Sequence, residues 1–198
     1  METQSGSLRE IHAQMKLGQT RRAGAAEPLQ YRTLHTSFGL MLIASSRYGL
    51  RALLPGRSEN ELLANLRQRF PSAALEEDHG DLSLMGDLLI AHFENPRSAF
   101  DPPLDPLGTD FQRLVWQALR DIPVGHTTSY QALAHKIDHP SAARAVATAC
   151  AANPLAFIIP CHRVIAADGR LSGYRWGADL KRALLEREGA PLSASQGD

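Results

Sequence analysis

Between residues 29 and 54 the apolar positions fall into three short β-type segments, Gln30 to Thr36, Leu40 to Ser45 and Leu50 to Leu54. Ser37-Phe38-Gly39 and Ser46 to Gly49 separate them, which predicts two hairpins. Residues 1–28 carry few large apolar side chains and include Arg21-Arg22 and Gly24, so a mobile tail is expected there. Ser58-Glu59-Asn60-Glu61 is a capping box before Leu62, Leu63, Leu66 and Phe70, and a second helix is predicted over Leu82 to Phe93. Asp101 to Pro106 holds three prolines and interrupts regular structure, so a stiff connector over 102–108 follows a first unit at 29–101.

Beyond the connector, in 109–198, the pattern turns helical. Thr109 to Gln112 is a capping box ahead of Leu114, Val115, Ala118 and Leu119. Thr128 to Gln131 is another, opening a helix through about Ile137. Ser141 is placed to cap a helix from Ala142 to Ala151, which Asn153-Pro154 stops. Two short helices joined this way have the outline of a helix-turn-helix, an outline that a plain helical hairpin shares. The expected fold is therefore α+β: a small N-terminal sheet-plus-helix domain, then a mainly helical domain containing a helix-turn-helix.

Composition narrows the classes without choosing one. The chain has 198 residues, 43% of them hydrophobic, with 21 Lys and Arg against 21 Asp and Glu. Zero formal charge announces no nucleic-acid partner, so any such site must be a local patch. Ser141-Ala142-Ala143-Arg144 offers one: small side chains let a helix approach a groove, with Arg144 alone among alanines. Alanine is also simply the best helix former. Cys150 and Cys161 make neither a disulfide framework nor a usual structural zinc spacing. No segment suggests a signal peptide or a membrane span, and a reducing cytoplasm is expected.

The candidate chemistry lies at Pro160-Cys161-His162-Arg163, flanked by Phe157-Ile158-Ile159 and Val164-Ile165. A thiol becomes a good nucleophile as thiolate, and a nearby imidazole can take its proton. A buried structural thiol beside a hydrogen-bonded histidine accounts for the pair equally well. Farther on, Leu180, Leu184 and Glu188 share i, i+4 spacing, so the acid continues an apolar stripe at a helix C-terminus, where its charge is disfavoured. Such an acid calls for a cationic or donor partner.

The run from Gly108 to Gly189 resembles the catalytic domain of the O6-alkylguanine-DNA alkyltransferases (methylated-DNA–protein-cysteine methyltransferases). The matching pieces are Gly108 to Gln112, Ile122-Pro123-Val124-Gly125, Ser129 to Ala134, Ala143 to Val146, Asn153-Pro154, Ile159 to Val164 and Leu171 to Gly177. The resemblance implies direct-reversal repair of O6-alkylguanine in DNA, with O4-alkylthymine as a second candidate substrate. Cys161 would be the nucleophile and keep the alkyl group as a thioether, so each molecule reacts once. His162 would take the thiol proton through a bridging water; adjacent residues of an extended stretch point opposite ways, which disfavours direct contact. Glu188 would orient the imidazole, and Asn153 would support the active-site turn. Tyr130 would help turn the nucleotide out of the stack and Arg144 would fill its space, while Ser141, Ala142 and Ala143 lie along the minor groove.

The same resemblance implies a monomer acting on alkylated double-stranded DNA, with no cofactor, no metal and no membrane, in the cytoplasm and on the nucleoid when bound. No cysteine-rich metal domain is seen ahead of residue 29, so phosphotriester repair and methylation-triggered transcription are not expected. Trp176 stands where animal family members carry a small residue, which should narrow the pocket to small alkyl groups. The competing classes are a non-catalytic alkylated-DNA-binding module and a cysteine-dependent hydrolase, which needs an oxyanion site and multiple turnovers.

Overall fold

The computed structural model describes residues 27–171 and 173–191, so residues 1–26 of the expected tail lie outside the described residues. The three expected strands are β1 (Leu29–Thr36), β2 (Gly39–Ser46) and β3 (Gly49–Gly56). They form an antiparallel meander, with Leu34 opposite Met41 and Ile43 opposite Leu53. A strand the hydrophobic pattern missed, β4 (Leu75–Glu77), adds to β1 in parallel and gives the order β3-β2-β1-β4.

Alternation along the strands sends side chains to two faces. Leu42, Ala44, Ala52 and Leu54 meet Leu62 and Leu66 of helix α1 (Glu59–Arg69). Leu34, Met41, Ile43 and Leu53 join a larger core with helix α2 (Ser83–Glu94) and the C-terminal half. The Ser58 hydroxyl caps α1 by accepting from the Glu61 N–H at 3.3 Å, but the Glu61 carboxylate reaches back to the Arg57 N–H, one residue before the expected one.

The outer edge of β3 is covered by the rest of the chain. Leu50 donates to the Pro103 carbonyl and accepts from the Asp105 N–H, and a buried Arg51 pairs with the Asp105 carboxylate. Gly49 is required here: at φ +139° a Cβ would lie 2.4 Å from the Pro103 oxygen. Three residues farther along, Leu53 donates to Pro154 O at 2.8 Å and accepts from Ala156 N at 3.1 Å.

Helix α3 (Asp110–Arg120) opens on the complete Thr109/Gln112 capping box and buries Val115, Trp116, Ala118 and Leu119. Helices α4 (Tyr130–Lys136) and α5 (Ala143–Ala152) make the helix-turn-helix, and the Trp116 indole N–H donates to Ala149 O at 2.8 Å to fix α3 across α5. Two expected caps are corrected. Ser129, not Thr128, caps α4, accepting from Ala132 N at 3.0 Å, because Gln131 instead donates to Pro140 O and staples the turn. Ser141 makes no cap bond: the N-cap of α5 is Ala142 and the helix starts one residue later than expected. A two-residue parallel pair, β5 (Thr128–Ser129) with β6 (Val164–Ile165), holds the start of α4 beside the Pro-Cys-His-Arg segment. Helix α6 (Ala178–Glu188) ends on Gly189 at φ +71°. No helix among the described residues is long and apolar enough to cross a membrane.

Candidate active site

After α5 stops at Asn153, the chain makes a tight excursion through Pro154 to Pro160 and enters a one-turn 3-10 helix at Cys161–Arg163. Asn153 is fully buried and organises the excursion. Its side-chain oxygen accepts from Leu155 N at 2.9 Å, and its amide donates to Ile159 O at 2.8 Å and to Cys161 Sγ at 3.2 Å. Phe157 sits at φ +69°, a left-handed conformation that costs a bulky residue about 1–3 kcal/mol. Its ring is held by Phe93 at 4.7 Å and Phe38 at 5.6 Å, both from the N-terminal half.

Cys161 is buried, and burial pushes its thiol up to about 11 against the opposing pull of the Asn153 hydrogen bond and the Lys181 charge. A thiol so raised favours its protonated form and needs a base to become a thiolate. Cys150, on the inner face of α5, is pushed up further by burial.

His162 is 1% exposed and its Nε2 meets Glu188 Oε1 at 2.9 Å. Burial draws the Glu188 carboxyl upward, but the hydrogen bonds from His162 and Arg163, with their charges, overcome it and hold the group down at about 2. An ionised carboxylate at Nε2 requires the proton on that nitrogen, which leaves Nδ1 as the basic site. Nδ1 is buried and has no hydrogen-bond partner among the described residues. Burial pushes the imidazole below its ordinary value, Glu188 opposes this, and the charges of Arg163 and Lys181 add to the push. The net push favours the neutral ring, with Nδ1 as its unprotonated nitrogen.

Cys161 and His162 lie on a 3-10 turn, not on the extended stretch that was expected, and no hydrogen bond joins them among the described residues. Sγ meets the Asn153 amide while the ring is tied to α6 through Glu188.

Of the remaining expected residues, Glu188 and Tyr130 lie beside this pair, whereas Ser141, Ala142, Ala143 and Arg144 stand at the start of α5. Glu188 arrives from the end of α6, buried as its stripe predicts. Tyr130 begins α4 next to Gly173, where a Cβ would stand 3.1 Å from its hydroxyl. Burial, reinforced by the two thiols, raises its phenol to about 12. Arg144 projects exposed from the first turn of α5, without a carboxylate partner among the described residues. Ser141, Ala142 and Ala143 line the approach to that turn.

Two buried polar side chains and one half-buried tyrosine escaped the sequence reading. Arg163 grips both oxygens of Glu188, with contacts of 2.8 to 3.2 Å, and its third nitrogen donates to Ile122 O at 2.6 Å. Lys181 is 0% exposed and donates to Val164 O at 2.6 Å. Tyr174 stands edge-on between His162 and Trp176, at 6.5 and 5.3 Å, with its hydroxyl buried. Only Lys181 left a readable signal: it shares the i, i+3, i+4, i+7 face of Leu184, Leu185 and Glu188.

A buried thiol, an imidazole and an anchoring carboxylate thus cluster at one point of this α+β frame. Residues 110–190 match the model of the 6-O-methylguanine DNA methyltransferase DNA-binding domain. The methylated-DNA–protein-cysteine methyltransferase of Mycobacterium tuberculosis is 41% identical over 165 residues, 81% of this chain and 92% of that protein. The regulatory protein Ada of Salmonella typhimurium is 45% identical over 181 residues, 89% of this chain and 51% of Ada. The chain thus spans about half the length of the Ada proteins it matches. The crystal structure of Mycobacterium tuberculosis OGT in complex with DNA superposes with a TM-score of 0.67 at 40% identity, over 82% of this chain and 95% of that one. The chain belongs to the methylated-DNA–protein-cysteine methyltransferase family.

Proposed function

We propose that this protein repairs alkylated DNA by direct reversal, moving the methyl group of O6-methylguanine onto Cys161. The observation that carries the reading is the arrangement around the thiol: Sγ held by Asn153, and a buried His162 whose Nε2 is locked to Glu188 while Nδ1 has no hydrogen-bond partner among the described residues. The Cys161 proton passes to Nδ1 by way of a bridging water, and the thiolate attacks the methyl carbon. A carbon–sulfur bond forms, the carbon–O6 bond breaks, and the guanine keeps that electron pair and takes up the proton. Thiol and methylguanine thus become S-methylcysteine and guanine. The thioether is stable, so one molecule repairs one lesion.

A buried sulfur cannot reach a base inside a duplex, so the nucleotide must be turned out, at an expense of a few kcal/mol that is least for a weakly paired base. Arg144 and the small residues Ala142 and Ala143 support minor-groove docking of α5, with the exposed guanidinium entering the vacated space. Tyr130, at the start of α4, is placed to act on the turned-out nucleotide. The protein works as a monomer in the cytoplasm and needs no cofactor.

Incubation with duplex DNA bearing a labelled O6-methyl group tests the reading. One label per protein, located at Cys161, is expected, and Cys161→Ser should take up none while still binding DNA. Continuing release of label to solvent would indicate a hydrolase, and binding without transfer a recognition module.

A further inference from the structure

We propose that Arg163 is a positioning residue for the transfer reaction, fixing the Glu188 carboxylate and balancing its charge so that His162 stays neutral and presents Nδ1 as a base. This inference rests on the function proposed above and assigns that site one more working part.

The geometry is specific. Arg163 Nε and Nη2 approach both Glu188 oxygens, and Nη1 is pinned to the carbonyl of Ile122. A guanidinium held at all three corners has no freedom to rotate, so Oε1, which it shares with His162 Nε2, has one position. Gly125 N approaches the other oxygen at 3.5 Å, and Arg97 donates to the Glu188 carbonyl. The imidazole is thereby aimed from one side only.

Charge makes the second half of the case. Glu188 and His162 are both withdrawn from water. A buried carboxylate facing only an imidazole draws a proton onto the ring, and an imidazolium cannot accept another from the thiol. Arg163 supplies the countercharge, so the ring need not. The other groups facing the pair are Cys161 on the same turn, Lys181 and Arg187 on α6, Tyr174 ahead of α6, His92 from α2, and Arg97, which reaches only the Glu188 main-chain carbonyl. None of these touches the carboxylate, whereas Arg163 does.

Histidine 15N NMR of the free protein and single-turnover methyl transfer, each followed against pH, test the proposal in wild type, Arg163→Met and Arg163→Lys. In Arg163→Met, His162 should carry both ring protons at neutral pH, and the acid limb of the transfer rate should move up by about one pH unit or more. In Arg163→Lys the charge remains but the fork is lost, so the ring should stay neutral while transfer slows about tenfold or more. A wild-type ring state and acid limb in Arg163→Met overturn the proposal. If the Met variant does not fold, the Lys variant decides, and a wild-type rate there overturns it. Wild-type protein that takes no methyl group from DNA would defeat the proposed function instead, while the ring titration still judges Arg163.

Discussion

The side-chain amide of Asn153 donates to the sulfur of Cys161 at 3.2 Å from eight residues away, and the same amide group spans the loop between them. Asn153 therefore sets both the path of the backbone and the position of the nucleophile. Asn153→Ala strands the Leu155 N–H and the Ile159 carbonyl in a buried site. A loss of about 2–4 kcal/mol in urea unfolding is expected, with slower methyl transfer even where the protein remains folded. Wild-type stability in the variant would refute this account of the loop.

Stability should fall on acidification in two stages. His162 binds its proton less readily in the fold than in the unfolded chain, so its contribution is complete above its ordinary value of 6.5 and drains as the pH drops through it. Glu188 ionises at about 2 instead of its usual 4.5, so its contribution persists above the ordinary carboxylate range and disappears as the pH descends toward 2. The second stage amounts to about 3 kcal/mol. Unfolding midpoints measured from neutral to acid pH should show both, and Glu188→Gln should remove the lower one.

Arg144→Ala separates extrusion of the base from chemistry. The guanidinium lies exposed on α5 while the thiol is buried, so the variant should repair duplex DNA about tenfold or more slowly yet react with free O6-methylguanine at the wild-type rate. Equal losses on both substrates would remove Arg144 from the extrusion step.

Trp176 closes the aromatic wall formed with Tyr174 beside His162. Methyl transfer should be efficient and benzyl transfer poor, and Trp176→Ala should raise the rate of inactivation by free O6-benzylguanine about tenfold or more. Rapid inactivation of the wild type by that compound would contradict a narrow pocket.

Much of this architecture is legible in the residues because local rules and tertiary packing agree. The meander is marked by two tight turns, α3 by a capping box that forms in full, and the acid at 188 by its place on an apolar stripe. The misses arise where a distant partner decides. Leu75-Glu76-Glu77 has no strand pattern of its own and becomes β4 only because β1 offers a free edge. Gln131 leaves its expected cap for the Pro140 carbonyl, a choice set by the turn and not by the helix. Arg163 is invisible beforehand because its worth depends on a carboxylate 25 residues away. Tyr174 likewise acquires its surroundings only when the loop folds over the histidine.

The margin of β3 receives two visitors in succession, Pro103 to Asp105 and then Pro154 to Ala156. The second belongs to the stretch that carries the reactive sulfur, so the little meander serves as the floor on which that stretch is laid. Severing the polypeptide at its prolines would give a trailing piece whose nucleophile had lost its foundation, and a leading piece left with a naked, adhesive border.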